Sequence, residues 1–196
     1  MNSLDILVLG HLERNEDGSV DLNNTWSTST LIRTDDGHNI VVDTSMQYMK
    51  SGIKTSFKQI GKIFPDDVDM IVLTHAHPDH IGNCSMFKNA KIYVRKEELE
   101  HVPDAIGVDS DKEIAKAVKL VHTPGHSPGS MSVFVEADRK YVITGDAMPL
   151  ADNYHKMVPP KLNYDEDLAM ESMKRIIAYA DVIIPGHDKP FTVRKR

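Results

Sequence analysis

Residues 74–80 read Thr-His-Ala-His-Pro-Asp-His and follow directly on the apolar run Met70-Ile71-Val72-Leu73. While the backbone stays extended out of that run, the i, i+2 spacing points the imidazoles of His75 and His77 to the same side. Pro78 cannot continue a sheet and fixes φ near the value of a first helical residue, so a helix is expected to start there with Asp79 and His80 in its first turn. Successive helical residues diverge by about 100°, and one short segment can then serve two metal positions. A single histidine after a strand is usually an ordinary polar loop residue. Three histidines and an aspartate in H-x-H-x-D-H order are different: buried together they would repel one another if protonated, and such crowding is useful mainly when metallated. One loop cannot surround two cations, so the fold must bring other strand ends to the same place.

His126 in HTPGHSPGS, Asp146 in VITGDA and His187 in PGHDKP each close a strand-like run, and each has glycine immediately before it. Glycine lets the backbone bend sharply and approach a crowded site. Together these residues make five histidines and two aspartates, a nitrogen and oxygen set suited to zinc and tolerable to iron or manganese.

Between these segments, β-like runs recur over 4–9, 29–33, 39–43, 70–74, 91–94, 118–122, 131–135, 141–144 and 182–184, with turn signals between them. Asp36-Gly37 reads as a hairpin turn, and residues 136–140 as another. Helical spacing appears over 46–63, 111–118 and 165–180. The runs also echo one another. Asp69 to His75 and Asp181 to His187 share an aspartate, an apolar strand and a histidine six residues on, and each half carries a hairpin whose second strand ends in aspartate, at Asp43 and at Asp146. Two similar β-rich halves delivering polar side chains to one edge would explain the echo.

The ordered set His75, His77, Asp79, His80, His126, Asp146 and His187 resembles the metallo-β-lactamase superfamily over nearly the whole chain. The resemblance implies an α/β fold, a four-layer αββα sandwich with metals at one edge of the paired sheets. It further implies that His75, His77 and His126 hold a first metal, that Asp79, His80 and His187 hold a second, and that Asp146 bridges them. The implied cofactor is two Zn2+ per chain, with iron or manganese as alternatives. True β-lactamases of this superfamily lack a bridging aspartate at the Gly145-Asp146 position, and some place a cysteine ligand in that part of the chain, whereas Cys84 lies just after the first motif. The flavodiiron relatives carry an acid where this chain has His77. With nine residues after His187, neither the helical thiol-binding domain of glyoxalase II enzymes nor a nuclease insertion module is expected. A compact hydrolase is the expectation, with residues 1–196 as one domain.

Two divalent cations about 3.5–4 Å apart can share a water and lower its pKa toward neutrality, leaving hydroxide as the nucleophile. The expected substrate is ester-like: a thioester, a lactone or a phosphodiester. Asp79 is read as a ligand that also orients the nucleophile, the catalytic role in this scheme. Two other classes stay open, a mononuclear iron oxygenase resembling the persulfide dioxygenases and a metal-binding protein without catalysis. Within the hydrolase reading, single-stranded nucleic acid competes with a small molecule as the substrate. The formal charge of −6 and pI near 5.9 argue mildly for the small molecule.

Several further residues carry weighed expectations. Asp43 is read as a hydrogen-bonding partner that orients a ligand histidine, and His122 as a packed or supporting histidine outside the metal set. His11, His38 and His101 are read as surface residues. Trp26, and Tyr154 and His155 in the loop-like stretch after Asp146, are the substrate-contact candidates. The lone Cys84 excludes an internal disulfide and suits a reducing compartment; it is read as a small buried apolar side chain. No run approaches the roughly 20 apolar residues of a membrane span, and a cytoplasmic location without membrane contact is expected, with a homodimer as one expected assembly.

Overall fold

The computed structural model describes residues 1–61 and 63–194. Residue 62, inside the helix expected over 46–63, and residues 195 and 196 lie outside the described residues. Among the described residues twelve strands form two sheets of six. The first follows chain order: β1 (Ser3–Val8), β2 (Ser29–Arg33), β3 (Asn39–Val42), β4 (Met70–Val72), β5 (Lys91–Arg95) and β6 (Ile106–Val108). The second runs in reverse order, from β12 (Phe191–Thr192) through β11 (Val182–Pro185), β10 (Lys140–Gly145), β9 (Met131–Glu136) and β8 (Val118–His122) to β7 (Lys112–Ala115). Among the described residues there are four α-helices: α1 (Lys50–Ile60), the single turn α2 (Pro78–Ile81), α3 (Ala151–Lys156) and α4 (Glu166–Tyr179).

Period-two alternation sorts the central strands into three apolar layers. Ile40, Val42, Met70 and Val72 of the first sheet meet Met131, Val133, Val135, Ile143 and Ile184 of the second in the inter-sheet core. Val41 and Ile71, one residue out of step, pack with Ile53 and Phe57 of α1 on the outer face. Phe134, Val142 and Ile183 do the same with Met173 and Ile176 of α4. Both faces of each central strand are thus buried, which is why the strands read as continuous apolar runs. Sheets on the inside and helices outside make the expected αββα sandwich.

The echo between the halves is structural. The hairpin β2–β3 is followed by β4 parallel to β3, and the hairpin β9–β10 by β11 parallel to β10. Parallel pairing puts the C-terminal ends of β3 and β4, and of β10 and β11, at the same edge of their sheets.

Three expectations need correction. Residues 111–118 are not helical: Lys112–Ala115 pairs antiparallel with β8, and the chain reverses at Ala117 in the left-handed region, φ 59°. Ala115 and Val118 are buried and Ile114 packs against the same core, so three apolar residues at helical spacing belong to a bulged hairpin. The short edge strands β6 and β12 were not expected, being too short to show a period. The stretch after Asp146 contains α3, whose start is fixed by Leu150 N–H donating to Asn153 Oδ1 at 3.0 Å and Ala151 N–H to Asp188 Oδ2 at 3.1 Å. Among the described residues no helix is long and apolar enough to cross a membrane.

Candidate metal centre

Beyond β4 the chain bends at Thr74 and His75, His77 is extended at φ −70° and ψ 150°, and Pro78 opens α2 with Asp79 and His80 in its one turn. The rings of His75 and His77 lie on one side, centroids 4.5 Å apart. From the second sheet come three more segments. The 123–130 loop after β8 brings the His126 ring 4.7 Å from that of His75. The ends of β10 and β11 bring Asp146 and His187. All seven residues of the ordered motif therefore converge at the edge where the two sheets meet.

Close backbone approach makes this convergence feasible. Gly145 sits at φ 49°, and a Cβ there would collide with the Thr74 side chain; a Cβ at Gly186 would collide with the Asp146 carboxylate. The glycines before two of the candidate ligands thus let the two sheets close on the site.

The hydrogen bonds around the rings fix which nitrogen faces inward. His126 Nδ1 lies 2.8 Å from the Leu162 carbonyl, and His187 Nδ1 lies 3.0 Å from the Trp26 carbonyl and 3.2 Å from that of His11. A carbonyl oxygen only accepts, so both Nδ1 atoms carry the proton and each Nε2 offers a lone pair. His80 Nδ1 donates to Asp43 Oδ2 at 2.8 Å, and Thr74 donates its hydroxyl to the same oxygen at 2.8 Å. Its proton so engaged, the Thr74 hydroxyl accepts from His75 Nδ1, 3.2 Å away. Four Nε2 atoms and His77 Nδ1 are left pointing into the centre, with His77 Nδ1 only 3.1 Å from His126 Nε2.

These atoms form three groups close enough to hold an ion: His75, His77 and His126; His75, His80 and Asp146; and Asp79, His80 and His187. Asp146 spans them. Its Oδ2 is 3.5 Å from His126 Nε2, while its Oδ1 is 3.5 Å from His80 Nε2 and 3.2 Å from His187 Nε2. Asp79 Oδ2 lies 3.4 Å from His187 Nε2 and 3.8 Å from His80 Nε2. His75 Nε2, His80 Nε2 and Asp146 Oδ1 are buried with no hydrogen-bond partner. Orphaned buried polar atoms are costly, and the convergence of three of them at the meeting of these groups fits bound cations that would satisfy them.

The charges agree. Asp43, Asp79 and Asp146 meet here, and among the described residues no lysine or arginine forms an ion pair with any of them. Burial works against charge on His80, but Asp43, Asp79 and Asp146 outweigh it and hold its pKa well above the ordinary imidazole value. Burial likewise opposes charge on His187, and chiefly Asp146 raises its pKa nonetheless. His75 is held well below by burial and by the rings of His80 and His126. Burial opposes charge on Asp146 too, yet His187 and His126 hold its carboxyl well below the usual range. The site favours positive charge on His80 and His187 and disfavours it on His75, which suits a divalent cation whose binding would displace the protons from the first two rings.

The remaining sequence candidates separate. Asp43 takes the orienting position: its carboxylate accepts from Thr74 N–H at 2.8 Å as well as from His80. Trp26 reaches the centre through its backbone carbonyl, while its ring packs near His11 and Tyr48. Tyr154 stacks on Phe191 at 5.2 Å and accepts from Arg194 N–H at its hydroxyl, and His155 lies beside both rings. The structure brings neither Tyr154 nor His155 to the metal-ligating groups, because α3 turns both toward β12. His122 is also outside the cluster, with Nε2 2.9 Å from the Pro128 carbonyl. Cys84 is half-buried against the α1-side core, its thiol pKa raised by burial. Sequence reasoning missed the carbonyl partners at Leu162 and His11, since a backbone contact leaves no residue-type signal. It also missed Thr74, whose hydroxyl links Asp43 to His75.

The model of the metallo-β-lactamase superfamily matches residues 27–111 and 93–187. A probable metallo-hydrolase of Methanocaldococcus jannaschii is 41% identical over 149 residues, 76% of this chain and 70% of that protein. An N-acyl homoserine lactonase of Bacillus thuringiensis is 32% identical over 145 residues, 63% of this chain and 57% of its own length, so the match spans little more than half of that relative. The crystal structure of a putative metallo-β-lactamase from Thermotoga maritima superposes with TM-score 0.79 at 23% identity, covering 97% of this chain and 99% of that one. The chain belongs to the metallo-β-lactamase superfamily, among its metallo-hydrolases.

Proposed function

We propose that this metallo-hydrolase holds two divalent ions, zinc in preference to iron or manganese, and cleaves a small ester-like substrate: a lactone, a thioester or a phosphodiester. The observation that carries the reading is Asp146, whose two carboxylate oxygens face different sets of imidazole nitrogens. In this reading His75, His77 and His126 hold one ion, Asp79, His80 and His187 the other, and Asp146 bridges them, with the whole chain acting as one domain. A nitrogen-rich set with two carboxylates suits zinc. When bound, the ions supply Lewis acidity and lower the pKa of a shared water toward neutrality.

The chain's own residues do the rest. Asp79, with Oδ2 on the His187 and His80 side of Asp146, accepts a hydrogen bond from the attacking water and so aims its lone pair. Asp43, through His80 Nδ1, and the carbonyls of Leu162 and Trp26, through His126 and His187, keep the rings from turning. The convergence of Asp79, His80 and His187 supports a second ion and so weighs against a one-iron oxygenase. Leu162, whose carbonyl holds the His126 ring, and Tyr164, whose N–H donates to the Gly125 carbonyl, have exposed side chains, which suits a substrate with an apolar part better than a nucleic acid. The lactonase among the relatives makes a lactone the first ester to assay.

Metal-stripped protein reconstituted with zinc, assayed on a lactone, a thioester and a phosphodiester, tests the proposal. Turnover of at least one that reaches its plateau at two equivalents is expected. Turnover that survives complete removal of metal, or none on any of the three, would overturn it.

A further inference from the structure

Glu98 ends a short helical turn after β5, buried at 5% exposure, and contributes no atom to the metal-ligating groups. Its Oε1 accepts from the Ser127 hydroxyl at 2.6 Å and from Gly129 N–H at 3.1 Å; its Oε2 accepts from Ala76 N–H at 3.2 Å. Ala76 is the residue between His75 and His77, and Ser127 follows His126. One carboxylate therefore ties together the two loops, from opposite sheets, that carry the nitrogens of a single metal-ligating group. The fit is close: a Cβ on Gly129 would collide with the Glu98 side chain.

Among the described residues Glu98 forms no ion pair, and a buried acid without a cationic partner is costly, so its chemistry calls for an explanation. Three donors from two loops converge on it, and only an ionised carboxylate offers two acceptor atoms with no donor of its own. We propose that Glu98 is a positioning residue, which clamps the 75–77 loop to the 126–129 loop and thereby sets the affinity of the His75, His77 and His126 site without touching its ion. The proposal rests on the two-metal reading above. Ala76 N–H, pinned from outside, holds the backbone between His75 and His77 in place. The Ser127 and Gly129 bonds fix the distance of His126 from that pair.

Glutamine at this position keeps the size but must turn an NH2 toward a backbone N–H, either that of Ala76 or that of Gly129, leaving one donor unanswered. Metal-free wild type, Glu98→Gln and Ser127→Ala, titrated with cobalt(II) and followed by visible absorption and by melting of the metal-free proteins, form the test. Wild type should take two equivalents. Glu98→Gln should take one with wild-type affinity and the other about 10–100-fold more weakly, the range for losing an outer partner of a ligand, with an altered spectrum for that equivalent and similar melting before metal is added. Ser127→Ala, which keeps both backbone contacts, should shift the same equivalent by less. Wild-type affinity for both equivalents in Glu98→Gln, or an equal weakening of both, would overturn the assignment. If Glu98→Gln does not fold, unchanged binding in Ser127→Ala overturns it. Wild type that never takes two equivalents would instead sink the two-metal reading, and this inference with it.

Discussion

The ends of β3 and β10 occupy matching places in the two halves, yet their aspartates do different work. Asp43 directly follows Val42, the last residue of β3 paired with β4, and itself adopts the left-handed conformation at φ 54°. Its carboxylate stays against Thr74 and the far nitrogen of His80. In the second half a bulge lies between Ile143 and Gly145, the left-handed residue is Gly145 at φ 49°, and the aspartate comes one position later. Asp146 consequently meets the near nitrogens of His80, His126 and His187. A slip of one residue after a repeated hairpin separates a carboxylate that orients a ligand from one placed to be a ligand. The histidines keep the symmetry, His75 and His187 each following a parallel strand of the same register.

The comparison breaks most visibly at Asp146. Asp146→Ala should lose one metal equivalent and about 10³-fold in turnover, beyond the roughly 10–100-fold that follows loss of an outer partner; metal analysis and kcat together check it, and full activity would remove the bridging assignment. Asp43→Ala belongs in that milder range, about 10–100-fold weaker metal binding with both sites still fillable at high zinc, measured by titration of the metal-free variant. If Asp43→Ala proved as damaging as Asp146→Ala, the distinction between the two aspartates would fail. Gly145→Ala tests the backbone half of the argument. A left-handed alanine pressed on Thr74 should cost about 1–3 kcal/mol of stability in denaturant unfolding, and no loss would mean that the tight approach is easily relieved. Smallest of all, Tyr154→Phe should leave turnover unchanged, since its ring lies on Phe191; a large drop in kcat would return α3 to the site.

Much of this was legible because the relevant signals are local. The i, i+2 histidines, the proline after them and the strand-ending aspartates each follow from a few neighbouring residues, and the echo of Asp69 to His75 in Asp181 to His187 announced the paired sheets. What was not legible depends on distant partners. Lys112–Ala115 had helical spacing and became a strand because β8 pairs with it. Tyr154 lay in the right part of the chain, but α3 sends it to β12. Glu98 sits in the charged stretch Arg95 to Glu100, where nothing in the spacing distinguishes the buried acid from its exposed neighbours.

The central claim is that the two halves converge on two ions bridged by Asp146. Metal content per chain, by elemental analysis of protein purified without added metal or chelator, tests it most directly. Close to two ions per chain, predominantly zinc, is the predicted result. A single iron per chain would contradict it and leave His80 and His187 without their assigned role.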